Sequence, residues 1–134
     1  MEENKTCNFG EHLTIDGYGG NPEKLNNREI VFKCLADLPD KTGMHKIIEP
    51  VMKEFPGNDL KDPGGYSGFV MIAESHISVH TFPKRKFVSM DVYTCKNGMD
   101  TQFICDYVKE LFELNDLEIN HIKRGTKYPT KNLA

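Results

Sequence analysis

The chain lacks the features that make most functions easy to read. No apolar run approaches the ~20 residues that span a bilayer. The polar, acidic start Met1-Glu2-Glu3-Asn4-Lys5-Thr6 has no apolar signal-peptide core. Neither a membrane partner nor secretion is expected. Cysteine is sparse: Cys7, Cys34, Cys95 and Cys105 are scattered, with no CxxC pair. That argues against a metal site or a disulfide framework and for reduced thiols in a cytoplasm. Surplus charge is missing too. The net charge is −3, and basic residues cluster only at Lys84-Arg85-Lys86 and Lys123-Arg124. Those read as a solvated hairpin tip and a solvated tail, not as the basic face of a nucleic-acid binder. There is no Gly-x-Ser-x-Gly elbow, which sets aside a Ser/His hydrolase. Without repeats or low-complexity segments, residues 1–134 fit a single domain.

What is present is patterned. Leu13 and Ile15 alternate with polar positions across residues 12–18, as in a strand, until Gly17, Gly19 and Gly20 break it. Asn21-Pro22-Glu23 is a helix start. Leu25, Ile30, Val31, Cys34 and Leu35 supply its buried stripe, and Leu38-Pro39-Asp40 is expected to end it. Residues 55–65, with two prolines and three glycines, read as a loop. Residues 69–73 suit a buried strand. Ile77, Val79 and Thr81 then alternate with His76, Ser78 and His80. A turn at 83–86 leads to a strand at Phe87–Thr94. Asp100 is expected to cap a helix presenting Phe103, Ile104, Tyr107, Val108, Leu111 and Phe112 on one face. A last strand falls at 117–122, and a further one is placed near 47–52. The order β-α-β-β-β-β-α-β predicts an α+β fold of two layers, an antiparallel sheet with both helices on one face. The uncovered face is expected to be apolar and to need a partner, hence a homodimer.

Three residues could carry chemistry. A serine hydroxyl needs a base, and histidine is suited to that at neutral pH. Cysteine readily gives or takes a proton. Ser75 and His80 are five apart, so on one straight strand they point to opposite faces and cannot pair. His76 and His80 share a face, but no third ligand has suitable spacing for a metal. Taken singly, each residue is as well explained by the core or the surface.

Together they form a motif. The segment Glu74-Ser75-His76-Ile77-Ser78-Val79-His80-Thr81-Phe82-Pro83 is preceded by Ser67-Gly68 and followed by Tyr93-Thr94-Cys95. It resembles the self-cleavage site of the bacterial and archaeal S-adenosylmethionine decarboxylases, and the likeness runs from Gly10-Glu11-His12-Leu13 to the last strand. The resemblance implies cleavage between Glu74 and Ser75 into a beta chain 1–74 and an alpha chain 75–134. Ser75 would become a covalent pyruvoyl group, with neither pyridoxal phosphate nor a metal. It implies that Ser67 and His80 assist processing, His80 in proton transfer and Ser67 at the oxyanion. It implies that Cys95 reprotonates the substrate's α-carbon after carbon dioxide leaves. Such a group acts as an electron sink for the carbanion through a Schiff base with the substrate amine. The family works in polyamine (spermidine) biosynthesis, as homodimers whose sites form at the interface.

The chain also departs from that family. The histidine-threonine pair is typically followed there by Trp-Pro-Glu, whose glutamate holds the ribose. Here the residues are Phe82-Pro83-Lys84, and a lysine cannot accept hydrogen bonds. The aromatic residue that stacks on adenine would fall at Lys61, with Phe55 and Tyr66 the nearest aromatics. The substrate contacts implied are Asp16, Lys61, Glu74, Phe82 and Lys84. Some family members act on arginine or ornithine instead, for which Asp16 or Asp62 is a candidate partner of the distal cation. S-adenosylmethionine stands first, a basic amino acid second. A non-processing, non-catalytic paralogue acting as a binding subunit is the alternative of another class.

Overall fold

The computed structural model describes residues 5–58 and 60–133; residues 1–4 of the polar start lie outside them. Among the described residues, eight strands and three α-helices follow one another. They are β1 (Thr6–Cys7), β2 (Gly10–Tyr18), α1 (Pro22–Leu25), α2 (Arg28–Lys41), β3 (Val51–Phe55), β4 (Gly65–Ile72), β5 (Ser75–Phe82), β6 (Phe87–Thr94), α3 (Thr101–Phe112), β7 (Asp116–Arg124) and β8 (Tyr128–Pro129). Six strands form one sheet in the order β3-β4-β5-β6-β2-β7, and every neighbouring pair is antiparallel. β1 and β8 make a separate two-stranded ribbon.

Alternation sets which face is covered. Leu13 and Ile15 of β2, Val70 and Ile72 of β4, Ile77 and Val79 of β5, and Val88 and Val92 of β6 are buried together with Val31, Leu35 and Leu38 of α2 and Ile104, Val108 and Phe112 of α3. Helices on one face of an antiparallel sheet are thus what the structure contains. Each fully buried Leu, Ile or Phe in this layer contributes about 1.5–3 kcal/mol. The opposite face departs from expectation. It is mixed rather than apolar: His12, Thr14, Asp16, Ser78, His80, Ser89 and Asp91 run across its middle, with Val51, Phe55, Phe69 and Met71 exposed toward the β3 edge and Tyr18 and Ile122 toward the β7 edge.

Local signals were mostly obeyed. Asn21 caps α1 with Pro22 at the first helical position, and Asp100 caps α3 through the Phe103 N–H. Two expectations are corrected. The first helix is two, because Asn27 starts α2 anew by accepting the Ile30 N–H, turning the chain at Asn26-Asn27. And Pro39 does not end α2, which runs on to Lys41. Only one helical bond is forfeited that near the end, and the ring is buried in the core. The strand placed near 47–52 lies slightly later, as β3. Among the described residues no helix is long and apolar enough to cross a membrane.

Candidate active site

The residues singled out by the sequence fall at the two ends of β5. At its start, Ala73 and Glu74 form the two-residue turn of the β4–β5 hairpin, since Ile72 pairs with Ser75. Ser75 has φ 153°, a region side chains rarely adopt. Such backbone stores strain on the order of 1–3 kcal/mol and persists only where its surroundings hold it. Those surroundings are visible. The Glu74 carbonyl accepts the Cys95 N–H at 2.7 Å, which extends the β5–β6 ladder one step past the Ser75–Thr94 pair. The carbonyl before Ser75 is therefore polarised by the backbone of Cys95.

Cys95 is held there by β2. A Cβ on Gly10 would run into the Thr94 carbonyl and lie 2.7 Å from the Cys95 Cα, so only glycine permits the approach. The next residue, Glu11, is nearly buried and accepts the Gly98 N–H and a hydrogen bond from His121 Nε2 at 2.6 Å. Burial opposes its charge, but the hydrogen bonds from Gly98, His121 and Met99 outweigh that and hold its carboxyl below the usual range. The loop after Cys95 is thereby fixed by a carboxylate from β2.

At the far end of β5, Ser67 and His80 are register partners, and His80 Nδ1 lies 2.9 Å from Ser67 Oγ. They border a shallow cavity of about 300 Å³ shared with Met52, Phe69 and Ser78. Asp16 lies in the same cross-strand row, since it pairs with Ser89 and Ser89 pairs with His80. Five residues at ~3.3 Å each put His80 roughly 16 Å from Ser75. Within one chain the structure therefore places the singled-out residues in two separate groups: Glu74, Ser75 and Cys95 at one end, Ser67, His80 and Asp16 at the other.

The implied substrate contacts divide as well. Phe82 and Lys61 line a cavity of about 540 Å³ with Tyr18, Asp62, Arg85 and Phe87. Lys84 does not join them. It lines a neighbouring cavity with Asn26, Glu54 and Phe55, because Pro83–Arg85 is a 3-10 turn that sends Lys84 and Arg85 in different directions. Neither Phe55 nor Tyr66 replaces the aromatic missing at Lys61. Tyr18 and Phe82 do flank Phe87, with ring centroids 5.3 and 5.5 Å away. Sequence reasoning missed this trio because its members come from three strands.

It also missed a network at mid-sheet. His12 Nε2 lies 2.6 Å and His76 Nε2 3.4 Å from the same Asp91 oxygen, and the Ser78 hydroxyl donates to the other. Burial raises the Asp91 pKa, but these hydrogen bonds and the two imidazoles outweigh it, so the carboxyl sits below its ordinary value. His76 thus finds His12 and Asp91 rather than His80, with ligand atoms within 4.8 Å of one another. That is the third group the sequence did not supply. Yet the Arg124 guanidinium donates to His12 Nδ1 at 2.8 Å, which leaves the proton on Nε2, pointing at Asp91. This is the geometry of a hydrogen-bonded chain, not of an imidazole offering a lone pair to a cation.

A one-sided antiparallel sheet with hydroxyl, imidazole and thiol groups at its hairpin ends defines a two-layer α+β enzyme. The sequence profile described as S-adenosylmethionine decarboxylase matches residues 11–125. The chain is 33% identical over 117 residues to the S-adenosylmethionine decarboxylase proenzyme of Caldicellulosiruptor saccharolyticus, covering 87% of this chain and 89% of that one. With the proenzyme of Clostridium botulinum it shares 34% over 116 residues, 87% and 94% of the two chains. Its fold is similar to the crystal structure of the adenosylmethionine decarboxylase from Aquifex aeolicus, with a TM-score of 0.77 at 26% identity over 95% of this chain and 99% of the other. The chain belongs to the S-adenosylmethionine decarboxylase family, whose members are carboxy-lyases.

Proposed function

We propose that this protein is a self-processing, pyruvoyl-dependent S-adenosylmethionine decarboxylase of polyamine biosynthesis, working as a cytoplasmic homodimer. The observation that carries the reading is the turn at Ser75: a strained serine whose preceding carbonyl is already hydrogen-bonded to Cys95. The Ser75 hydroxyl attacks the Glu74 carbonyl, and the Cys95 N–H stabilises the developing oxyanion. The C–N bond breaks to leave an ester and a free amine. Removal of the Ser75 α-proton expels Glu74 as a carboxylate. Water then displaces the nitrogen as ammonia, so one water is consumed and Ser75 ends as a pyruvoyl group. The relatives' name, proenzyme, supports a precursor of this kind.

The residues present fit that group: the hydroxyl it is made from sits in a turn that relaxes once the bond is cut. When formed, a pyruvoyl ketone supplies an electron sink for an α-amino acid losing carbon dioxide. Cys95, one residue beyond the Ser75–Thr94 pair, supplies the proton that the substrate's α-carbon needs next. Ser67 and His80 lie too far from Ser75 in the same chain to act there. A second copy that turns its open sheet face onto the first would set one chain's Ser67 and His80 beside the other's Ser75, which is the reason for the homodimer. The Tyr18, Phe82 and Phe87 rings offer a purine the stacking surface that Lys61 cannot.

One observation favours a second reading. Asp62 shares the cavity of Phe82 and Lys61 and would pair the distal cation of arginine or ornithine. Carbon dioxide release from carboxyl-labelled S-adenosylmethionine, arginine and ornithine decides between them. Release from S-adenosylmethionine alone is expected; release only from a basic amino acid would move the substrate assignment to Asp62. Denaturing mass spectrometry is expected to show chains 1–74 and 75–134. A single uncut species, with no release from any substrate, would instead support the binding-subunit alternative.

A further inference from the structure

A carboxylate of the cleavage turn is gripped by a residue that the proposed chemistry leaves unused. Glu74 accepts two hydrogen bonds from His45: the backbone N–H reaches Oε1 at 3.1 Å, and ring Nδ1 lies 2.9 Å from Oε2. The His45 carbonyl in turn accepts the Ala73 N–H at 2.7 Å. One residue further, Lys46 bridges to Ile72, and the Ile47 N–H donates to the Met71 carbonyl at 2.9 Å. Residues 45–47 therefore lie along the end of β4 as a short extra edge and hold both turn residues, Ala73 by backbone and Glu74 by side chain. The His45 side chain is 78% exposed and packs against nothing that would need it, while Glu74 is only 17% exposed. An exposed imidazole fixed on one carboxylate is not explained by the core.

The geometry points to His45 as a positioning residue for self-cleavage. By anchoring Glu74 from one side while Cys95 holds its carbonyl from the other, His45 keeps the Glu74 carbonyl where the Ser75 hydroxyl can reach it and maintains the strained backbone at Ser75. The inference rests on Glu74–Ser75 being the bond that is cut.

The test follows cleavage of newly synthesised full-length protein by denaturing mass spectrometry against time, with Tm measured alongside. His45→Ala is expected to lengthen the half-time of cleavage roughly fivefold, an ion-assisted hydrogen bond discounted for exposure, with an unchanged Tm. His45→Asn, whose side-chain N–H can replace that of Nδ1, is expected to recover most of the rate. In a Glu74→Ala background, His45→Ala should add little further delay, because the ring has already lost its acceptor. Cleavage of His45→Ala at the wild-type rate would overturn the inference, and so would equal slowing by Ala and Asn, which marks a merely structural residue. Wild-type protein that stays full length would overturn this inference and the cleavage reading together. Wild-type cleavage with no His45 effect overturns this one alone.

Discussion

The roles proposed for Ser75 and Cys95 are ones that substitution separates. Ser75→Ala is expected to leave one full-length species and release no carbon dioxide, since no hydroxyl remains to form the ester. Cys95→Ala should still cut, because the N–H on the Glu74 carbonyl belongs to the backbone, yet lose roughly 100-fold or more in carbon dioxide release. A Cys95→Ala protein that turns over normally would remove the thiol from the mechanism. Cys34 is a contrasting thiol. It is fully buried on α2, and burial, helped by nearby Asp37, pushes its pKa up to about 12. Brief alkylation of the folded protein at pH 8 is expected to label exposed Cys7 and spare Cys34. The residues proposed to react stand out in the sequence through a compact motif. Their supports do not: His12 meets Asp91 across 79 residues, and Glu11 meets Gly98 across 87. Such pairs exist only once strand register is set.

Among elements, those with a clean period were read correctly. The alternation in β5 and β6 and the capped stripe of α3 each reflect one buried face, which sequence records directly. Elements whose reason lies elsewhere were missed. The ribbon of β1 and β8 is two residues a side and has no period to show. The Asn26-Asn27 break depends on which asparagine caps, and both types of residue look alike beforehand. Two substitutions test the elements that carry the site. Asp100→Ala removes the α3 cap and should cost about 1 kcal/mol, lowering Tm by a few degrees with cleavage intact. Gly10→Ala acts on β2 where it passes beneath Cys95. It is expected to lower carbon dioxide release far more than the Asp100 variant does for a similar loss of Tm; parallel losses would mean that the close approach matters only for stability.

At the scale of the whole molecule, the separation of Ser75 from His80 would make the proposed site a property of two chains. Cys95→Ala and His80→Ala proteins, each deficient alone, should together recover up to about a quarter of wild-type activity when co-expressed, because half of randomly paired dimers carry one intact site of two. No recovery would place His80 on its own chain's Ser75 through a rearrangement. Two carboxylates of the sheet, one on each face, also set a pH limit. The Asp91 and Glu11 carboxyls are held below their ordinary values. Their contribution to stability is therefore present above an unfolded pKa of ~4 and is lost as pH falls through the lower folded values. The denaturant midpoint is expected to drop between about pH 5 and pH 3, and less steeply in Asp91→Asn.

The strand order has a last consequence. Residues before the proposed cut supply β2, β3 and β4, those after it β5, β6 and β7, and the sheet shuffles them as β3-β4-β5-β6-β2-β7. The seams β4–β5, β6–β2 and β2–β7 each stitch one product to the other, so the fragments cannot drift apart while the sheet stands. Once melted, though, they must find each other by collision. Dilute cut protein should fail to regain its shape while the uncut Ser75→Ala precursor regains it at any concentration. Self-cleavage would then turn a fold that equilibrates into one that is merely kept, with the precursor as its single route of entry.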